Sequence, residues 1–471
     1  MTHDRRTFLT STALATAATL ITTARRAQAA PSQAAAWDQL PKILARIKPP
    51  VFPKRDFDIT KYGATPGPAK DCSDAIRQAI DACNRAGGGR VVVPAGIFYT
   101  GAIHLKSNVN LYVSAGATLR FITDPKKYLP LVFTRFEGTE LMNYSPFIYA
   151  DGQENLGVTG EGTLDGQCSR ENWWSWTTAK PWGQPEGAPK ADDRTVLTGM
   201  GDKDVPVVQR IFGEGHYLRP VFIQPCRSKN ILIDGVTMIN SPMYELNPLY
   251  CTNVTMRNVK IDSHGPNNDG CDPDSCVDVL IENCSFSTGD DCIAIKAGRN
   301  RDGRRVAAPT ENVIIRNCDM KDGHGGLTIG SEMSAGVRNV FVENCRLNSP
   351  NLNEALRFKT NAMRGGTIEN VYFRNITIGE VSDAILQVDF YYQEGTKGPE
   401  HPVVRNIDIR DVTSKKSKYA LQLRGFPDSP MNDIHFERCA FENVANPDIV
   451  ENVKGLTLAE VLVNGKPARQ P

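Results

Sequence analysis

The sequence has little net charge, no long apolar run beyond its N-terminus and no closely spaced cysteine pair. Its 54 lysines and arginines nearly balance its 53 aspartates and glutamates, which leaves a formal charge of +1. A chain with almost no net positive charge is not expected to bind nucleic acid in general. An acidic ligand would have to be held by cations close to it, because the protein as a whole has no strong positive potential. Without a long apolar run, no membrane span is expected after the first residues.

The cysteines include no CxxC pair, and Cys271 with Cys276 matches no usual zinc spacing. A second group recurs at an inward position of the repeats described below, where sister repeats carry valine or isoleucine. This group comprises Cys284, Cys318, Cys345 and Cys439. We interpret them as small core hydrophobes and expect neither a metal nor a cofactor. One or two disulfides, for example one from Cys72 or Cys83, stay open as an alternative.

A repeated strand pattern, Asn-apolar-x-apolar-x-Asn-apolar-x-apolar, is what the sequence does contain. Copies begin at Asn230, Asn253, Asp278, Asn312, Asn339, Asn370, Asn406 and Asp433, with 23 to 36 residues between successive starts. Constant strands joined by loops of variable length predict an all-β chain folded as a parallel β-helix. Such a solenoid can hold 471 residues in a single domain. The recurrent Asn suits a turn, where its side chain can bond to the backbone.

A second strand follows in each repeat, with the pattern apolar-x-apolar-x. Its first and third positions point into the bore, so Lys296, Arg357 and Lys359 point outward. We expect these three side chains to contact substrate, together with Asn267 from a neighbouring turn.

The same alignment places candidate acids in one column, because neighbouring strands lie about 4.8 Å apart. His324 falls beside Asp290, and Asp269 falls beside Asp291, which leaves Asp290 separate from that pair. An Asp-Asp pair in a turn is commonly only solvated. Here acids, an imidazole and cations share one column, which solvent exposure does not require, and we therefore predict cleavage of an acidic sugar polymer.

The N-terminal part divides into three predicted segments. Residues 1–29 combine a twin-arginine pattern at Arg5-Arg6, an Ala/Thr/Leu stretch and a small-x-small cleavage site, which predicts an export signal and a periplasmic or secreted bacterial protein. Residues 30–55 are predicted as a linker, and the β-helix as 56–465. Apolar residues at helical spacing after Asp71 predict an amphipathic helix that covers the open end of the solenoid.

The stretch at about 167–219 interrupts the repeats. It contains Trp173, Trp174, Trp176 and Trp182. These tryptophans could line a sugar cleft or pack the loop against the barrel, and the sequence does not decide between the two.

Four ordered motifs give the chain a resemblance to a known family. They are Asn-Asn-Asp269-Gly-Cys-Asp, Gly-Asp290-Asp291-Cys-Ile-Ala-Ile-Lys, Gly-His324-Gly-Gly-Leu-Thr-Ile-Gly-Ser and Arg357-Phe-Lys359. In order and spacing they resemble the signature of the polygalacturonases, glycoside hydrolase family 28. The resemblance spans about residues 56–430 and departs from the pattern at Asn268, where Thr is usual, and at Phe358, where Ile is usual.

The resemblance implies a right-handed, pectin-lyase-like β-helix that hydrolyses α-linked galacturonic acid in pectin with inversion. It implies that Asp290 is the general acid, with its pKa raised by the nearby carboxylates, and that Asp269 and Asp291 position and deprotonate water. His324 would hold the protonation state or orientation of Asp290. The expected partner is an acidic plant polysaccharide, and we expect a monomer.

Three alternatives remain open at this point. The first is a calcium-dependent pectate lyase, with Asp272 and Asp274 joining the other acids as ligands. The second is a non-catalytic carbohydrate-binding β-helix, and the third is a rhamnogalacturonan or xylogalacturonan hydrolase of the same family. Loops set such specificity, and the insertion could close one end of the cleft, which favours attack at a chain end.

Overall fold

The chain forms a parallel β-helix, as the repeats predict. The computed structural model describes residues 36–68, 70–177, 181–182 and 192–469, and the predicted export signal lies outside them. Successive coils pair in parallel with the register expected from the repeats, for example Ile231 with Val254 and Val371 with Ile407. No helix in these described ranges is long and apolar enough to cross a membrane.

The strands fall into three parallel faces. The first face contains Asp56–Asp58, Gly89–Val93, Val109–Val113, Glu154–Gly160, Lys229–Asp234, Thr252–Arg257, Val277–Glu282, Thr310–Arg316, Val337–Glu343, Thr367–Glu380, Val403–Lys416, Met431–Phe441 and Val453–Val463. The second contains Gly96–Thr100, Ala117–Phe121, Thr163–Asp165, Thr237–Ile239, Lys260–Ser263, Ser285–Thr288, Asp319–Met320 and Arg346–Leu347, after which it merges with the first into single long strands.

The third face carries the predicted functional column, and we call it the site sheet. It contains Ile103–His104, Ile148–Asp151, Ile223–Cys226, Ile293–Ile295, Gly323–Ile329, Leu352–Lys359, Ala384–Asp389, Tyr419–Arg424 and Ile449–Glu451. Isolated bridges at Leu246 and Cys271 continue it between Ile223 and Ile293. The site sheet is therefore continuous along the solenoid.

The remaining elements lie outside these faces. An antiparallel hairpin is made of Val132–Phe136 and Thr139–Asn143, with Ile211–Phe212 beside it, and Lys466–Pro467 pairs with the last long strand. The helices are Leu40–Leu44, Ser73–Arg85, Asp193–Asp202 and Asn300–Val306, with 3-10 turns at Ile59–Tyr62, Pro125–Tyr128, Trp173–Trp176 and Val207–Gln209.

The recurrent Asn positions adopt a left-handed backbone, which Asn tolerates better than most residues. Asn230 and Asn253 both have φ of 59°. Their side chains bond mainly to the equivalent side chain one coil away, as in Asn253 Nδ2 to Asn230 Oδ1 at 2.8 Å, rather than only to backbone as the sequence suggested. The repeat thus marks both a strained turn and a ladder that joins coils.

The core runs the length of the bore. Cys284, Cys318 and Cys345 occupy the predicted inward position and belong to the main apolar cluster. All twelve cysteines are free and buried, so the disulfide alternative is not realised. Packing alone accounts for these thiols.

The N-terminal segments pack on the solenoid at two places. The predicted helix forms as Ser73–Arg85 and buries its apolar stripe, which includes Ile76 and Ile80, against the first coils. The segment expected to be only a linker instead docks from residue 36 onward. Leu40 and Ile43 pack on the outward-facing Leu280 and Phe341, because these would otherwise expose apolar surface.

Candidate active site

The site sheet brings the predicted column together in the expected register. Cys271 pairs with Ile293, Ile293 pairs with Leu327, and Leu327 pairs with Leu356. This confirms the alignment of the second strands. Each acid, imidazole and cation of the predicted column lies on one of these strands or bridges, or in the turn before it.

Three carboxylates form the centre of the site. Asp269, Asp290 and Asp291 each place one oxygen within 4.8 Å of the others. The sequence analysis left Asp290 separate, and this was wrong. Asp290 lies in the turn before a strand, where strict alternation does not hold, and it turns toward the same face as its neighbours.

His324 forms an ion pair with Asp290, as predicted from the register. Its Nδ1 lies 2.9 Å from Asp290 Oδ1. The hydrogen bond to Asp290 raises the pKa of His324 above its ordinary value. Burial opposes ionisation of Asp290, but the His324 hydrogen bond and charge, with two nearby lysines, hold the pKa of Asp290 below its ordinary value. The expected rise in the pKa of Asp290 is therefore wrong for this arrangement.

Asp269 has the opposite electrostatic environment. Burial, reinforced by Asp272 and Asp290, raises its pKa well above the ordinary value. Lys296 lies 3.8 Å from Asp269 and 3.2 Å from Glu332. Lys296 still lines the pocket, but its ammonium is engaged by buried carboxylates. Its contacts suit positioning of Asp269 better than direct contact with substrate.

Asp291 is the carboxylate that the cations hold most closely. Lys359 Nζ donates to Asp291 Oδ2 at 2.7 Å, and Arg357 Nη1 lies 3.6 Å from Oδ1. Lys359 is buried, whereas the Arg357 side chain retains 14% exposure. Of the two cations expected to bind substrate, Arg357 is the more accessible, and Lys359 chiefly neutralises Asp291.

The two asparagines before Asp269 have different positions. Asn267 lines the pocket, and its Oδ1 accepts a hydrogen bond from Arg219 at 2.7 Å. Asn268 is fully buried, donates to two backbone carbonyls and accepts from Ser263. Asn268 therefore holds the turn together, since its side-chain hydrogen bonds go to the surrounding turn and not to the acids.

A pocket of about 350 Å³ encloses these groups. Sequence reasoning missed several residues that line it: Glu137, Arg194, Tyr244, Ser331, Glu332, Asn353, Tyr392 and Gln393. Glu332 lies three residues after a site-sheet strand, and extending the alignment would have found it. Arg194 and Glu137 lie outside the repeats, so no register could have placed them.

The tryptophans of the insertion mainly pack the loop. Trp173 is buried against Tyr128 and Phe147, and Trp174 Nε1 donates to the Ser241 carbonyl at 2.8 Å. Neither lines the pocket around the aspartates. The packing interpretation therefore holds for both.

The ligand set expected for a calcium-dependent lyase is not assembled. Asp274 bonds to Arg135 at 2.7 Å, and Lys296 lies 3.7 Å from Asp272. Asp274 is thus paired with Arg135, whereas Asp272 shares the Lys296 ammonium with Asp269 and lies beside the cluster of three. A set of five oxygen ligands would require Asp274 to turn away from Arg135.

Comparison with known proteins assigns the chain to a family. A family profile described as "Glycosyl hydrolases family 28" matches residues 211–459. The chain belongs to glycoside hydrolase family 28. The match includes every residue of the predicted column. It begins after the helix Asp193–Asp202, which we call the insertion helix.

Family 28 relatives of both chain-end and internal types are similar to this chain. A crystal structure of a hyperthermoactive exopolygalacturonase from Thermotoga maritima is 41% identical and covers 92% of this chain and 97% of that one, with a TM-score of 0.89. An exo-poly-alpha-D-galacturonosidase from Dickeya chrysanthemi is 26% identical over 82% of this chain and 67% of that protein. An endo-polygalacturonase from Pectobacterium parmentieri is 29% identical over 73% and 77%.

Proposed function

We propose that this protein hydrolyses α-linked galacturonic acid in polygalacturonate, with inversion, from a chain end. The observation that carries the proposal is the joining of three carboxylates, a histidine and accessible Arg357 in one polar pocket of a family 28 chain. Carboxylates supply the acid and base of glycoside hydrolysis, while the arginine suits the carboxylate of an acidic sugar. The exopolygalacturonase and the exo-poly-alpha-D-galacturonosidase that resemble this chain agree with this substrate.

In the proposed reaction, Asp290 protonates the departing glycosidic oxygen as the bond from the anomeric carbon breaks. A proton held by the Asp290–His324 pair supplies this step, because one proton is shared between two coupled groups. Water attacks the anomeric carbon from the opposite side and gives its proton to Asp291, while Asp269, whose pKa is raised by burial, positions that water. Asp269 Oδ1 and Asp291 Oδ1 are both buried without a hydrogen-bond partner among the described residues, so each has an acceptor oxygen to offer.

The proposed stereochemistry rests on the family resemblance rather than on spacing. The three carboxylates lie closer together than the roughly 6.5–9.5 Å that is usual for inverting glycosidases. The anomer that first forms, followed by NMR, decides the point. A product that retains its configuration would overturn the assignment of water attack to Asp269 and Asp291.

We propose attack at a chain end because the helix Asp193–Asp202 covers part of the site sheet. Leu197 of the insertion helix packs with Val221, Met243 and Tyr244, which directly precede the two site-sheet coils before Asp269. A polymer could not continue along the sheet past this cover. The insertion thus supports the wall that an exo-acting enzyme needs.

Product analysis tests the whole proposal. Incubation with polygalacturonate should release monomer or one short product from the start, whereas internal attack would give a ladder of oligomers. Activity on rhamnogalacturonan or xylogalacturonan without activity on polygalacturonate would contradict the substrate assignment. An ultraviolet-absorbing unsaturated product that disappears with a calcium chelator would instead show a lyase.

Export is a separate part of the proposal. The ordered twin-arginine, apolar and small-x-small parts of residues 1–29 support secretion of an already folded bacterial protein. Replacing Arg5 and Arg6 together by lysine should keep the enzyme in the cytoplasm. Equal activity of wild type and variant outside the cytoplasm would contradict this assignment.

A further inference from the structure

Arg194 lies in the pocket but comes from outside the family core. It belongs to the insertion helix Asp193–Asp202 and lines the same pocket as Asp290 and Arg357. The family match begins at residue 211. Arg194 therefore lies outside the part of the chain that the family profile matches.

The wall that carries Arg194 is held in place from two sides. Arg194 Nε donates to Glu137 Oε2 at 2.5 Å, and Arg299 Nη1 lies 3.1 Å from the same oxygen. Beneath the helix, Leu197 is buried among apolar side chains of the hairpin and of the covered coils. The guanidinium is thus fixed relative to the aspartates without being enclosed.

The outer part of the Arg194 guanidinium is available for a ligand. The side chain is 48% exposed, and within the described residues no hydrogen-bond acceptor is found for its two terminal nitrogens. Glu137 engages only Nε. Two parallel N–H donors are the geometry that binds a carboxylate at both oxygens.

We propose that Arg194 binds the carboxylate of the terminal galacturonate where the pocket meets the wall. This inference rests on the proposed function and adds a specificity residue to it. Arg194, which is paired with Glu137, would select an acidic sugar at the chain end, whereas Arg357 lies against Asp291. A chain end with an esterified carboxyl would lose the charge-assisted contact and bind less tightly.

The test uses trigalacturonates that carry one methyl ester, either at the non-reducing or at the reducing end, beside the unesterified trimer. In the wild type, an ester at the sugar facing the wall should raise KM about tenfold to a hundredfold. In Arg194→Met that penalty should fall below about threefold, because KM for the unesterified trimer should rise toward the value for the esterified one. Arg194→Lys should restore part of the penalty, because it keeps the charge but not the paired donors.

Arg301→Met provides the matched control. Arg301 is an exposed arginine on a neighbouring helix that pairs with Asp204 and does not line the pocket, so its loss should leave both ester penalties intact. If Arg194→Met folds and keeps both wild-type ester penalties, the inference is overturned while the hydrolase assignment stands. Failure of the wild type to cleave any trimer would instead overturn the proposed function.

If Arg194→Met does not fold, a binding measurement on other variants still tests the role of Arg194. Galacturonate should protect the wild type from thermal unfolding more than galactose does, and Arg194→Lys should show a smaller difference between the two sugars. An unchanged difference in Arg194→Lys and in a correctly folded Arg194→Gln would also overturn the inference.

Discussion

The outward face of the site sheet differs on the two sides of the aspartate cluster. Toward the N-terminus, Gln224 and Asn247 point away from the bore yet are only 0% and 2% exposed. Toward the C-terminus, the corresponding Gln387 and Gln422 are partly exposed. The same type of side chain on the same face is therefore covered in one half and open in the other.

The covered half is closed by elements that leave the repeat. The hairpin of residues 132–143 and the insertion helix lie over it, and Gln224 there bonds to Thr134 and to Asn247. In the open half the loop after Ala384–Asp389 reaches the pocket through Tyr392 and Gln393, but Gln387 stays partly exposed and bonds along the sheet to Gln422 at 3.0 Å. The acids stand at the boundary. Under the proposed function, a linear polymer would approach from the open half and stop at the covered one.

Removing the acids at this boundary should have the largest effect. Asp290→Asn is expected to lower kcat by about three or more powers of ten, with the fold intact, because the leaving oxygen loses its proton donor. Asp269→Asn and Asp291→Asn should behave similarly. In double variants the losses should not add, since the three act as a unit. Near-normal turnover of Asp290→Asn in steady-state assays would remove Asp290 from the acid role.

Neutralising Lys359 or Arg357 in turn distinguishes a cation that stabilises Asp291 from one that binds the substrate carboxylate. Lys359→Met strips buried Asp291 of its nearest cation, so activity should fall about a hundredfold on de-esterified and methyl-esterified chains alike. Arg357→Met should lose about tenfold to a hundredfold on de-esterified chains and much less on esterified ones. Initial rates on pectins of graded esterification distinguish the two. A selective loss in the lysine variant would show that Lys359 also reads the substrate carboxylate.

The dependence of kcat/KM on pH tests the role of the Asp290–His324 pair. The raised pKa of His324 and the lowered pKa of Asp290 keep one proton on the pair across the window between them. Activity should decline as pH rises through the raised histidine pKa. His324→Asn should reduce kcat about tenfold to a hundredfold and move the alkaline limb of kcat/KM to lower pH, because the proton then depends on Asp290 alone. An alkaline limb that does not move would assign it to another group.

Weakening the packing of the helix Asp193–Asp202 should open the covered half of the site sheet to the polymer. Leu197→Ala removes a buried contact worth about 2–5 kcal/mol in comparable cores. The initial products should then include several-fold more oligomer relative to monomer, measured by chromatography. Val196→Ala is the control, since Val196 is half exposed on the same helix. Identical product patterns in all three proteins would argue that the helix does not close the cleft.

The smallest effect is expected in the core that underlies both halves. Cys318→Val should change the free energy of unfolding by less than about 1.5 kcal/mol and leave activity intact, because valine fills this position in sister coils. Thermal unfolding and zinc analysis of the purified protein check this. Collapse of the fold, or one bound zinc per chain, would contradict the packing interpretation.

Much of the solenoid and of the column could be predicted from sequence, because both depend on periodicity. Strand alternation fixed the facing of Arg357, and the repeat placed His324 beside Asp290. The position of Asp290 relative to the other acids was missed, since a turn residue is not bound by alternation. Its pKa was missed for a related reason: the histidine contact and the buried lysines outweigh the effect of burial on Asp290, and that balance depends on distances.

The sequence by itself determined the parallel β-helix, the inward thiols and the membership of the functional column. These follow from local alternation and from a repeat whose neighbours are always one coil apart. Only the tertiary structure decided which cations are buried as partners of acids, such as Lys359, and which stay accessible, such as Arg357. It alone brought Arg194 and Glu137 to the pocket. Loops outside the repeat have no register, so their contacts depend on packing between segments far apart in the chain.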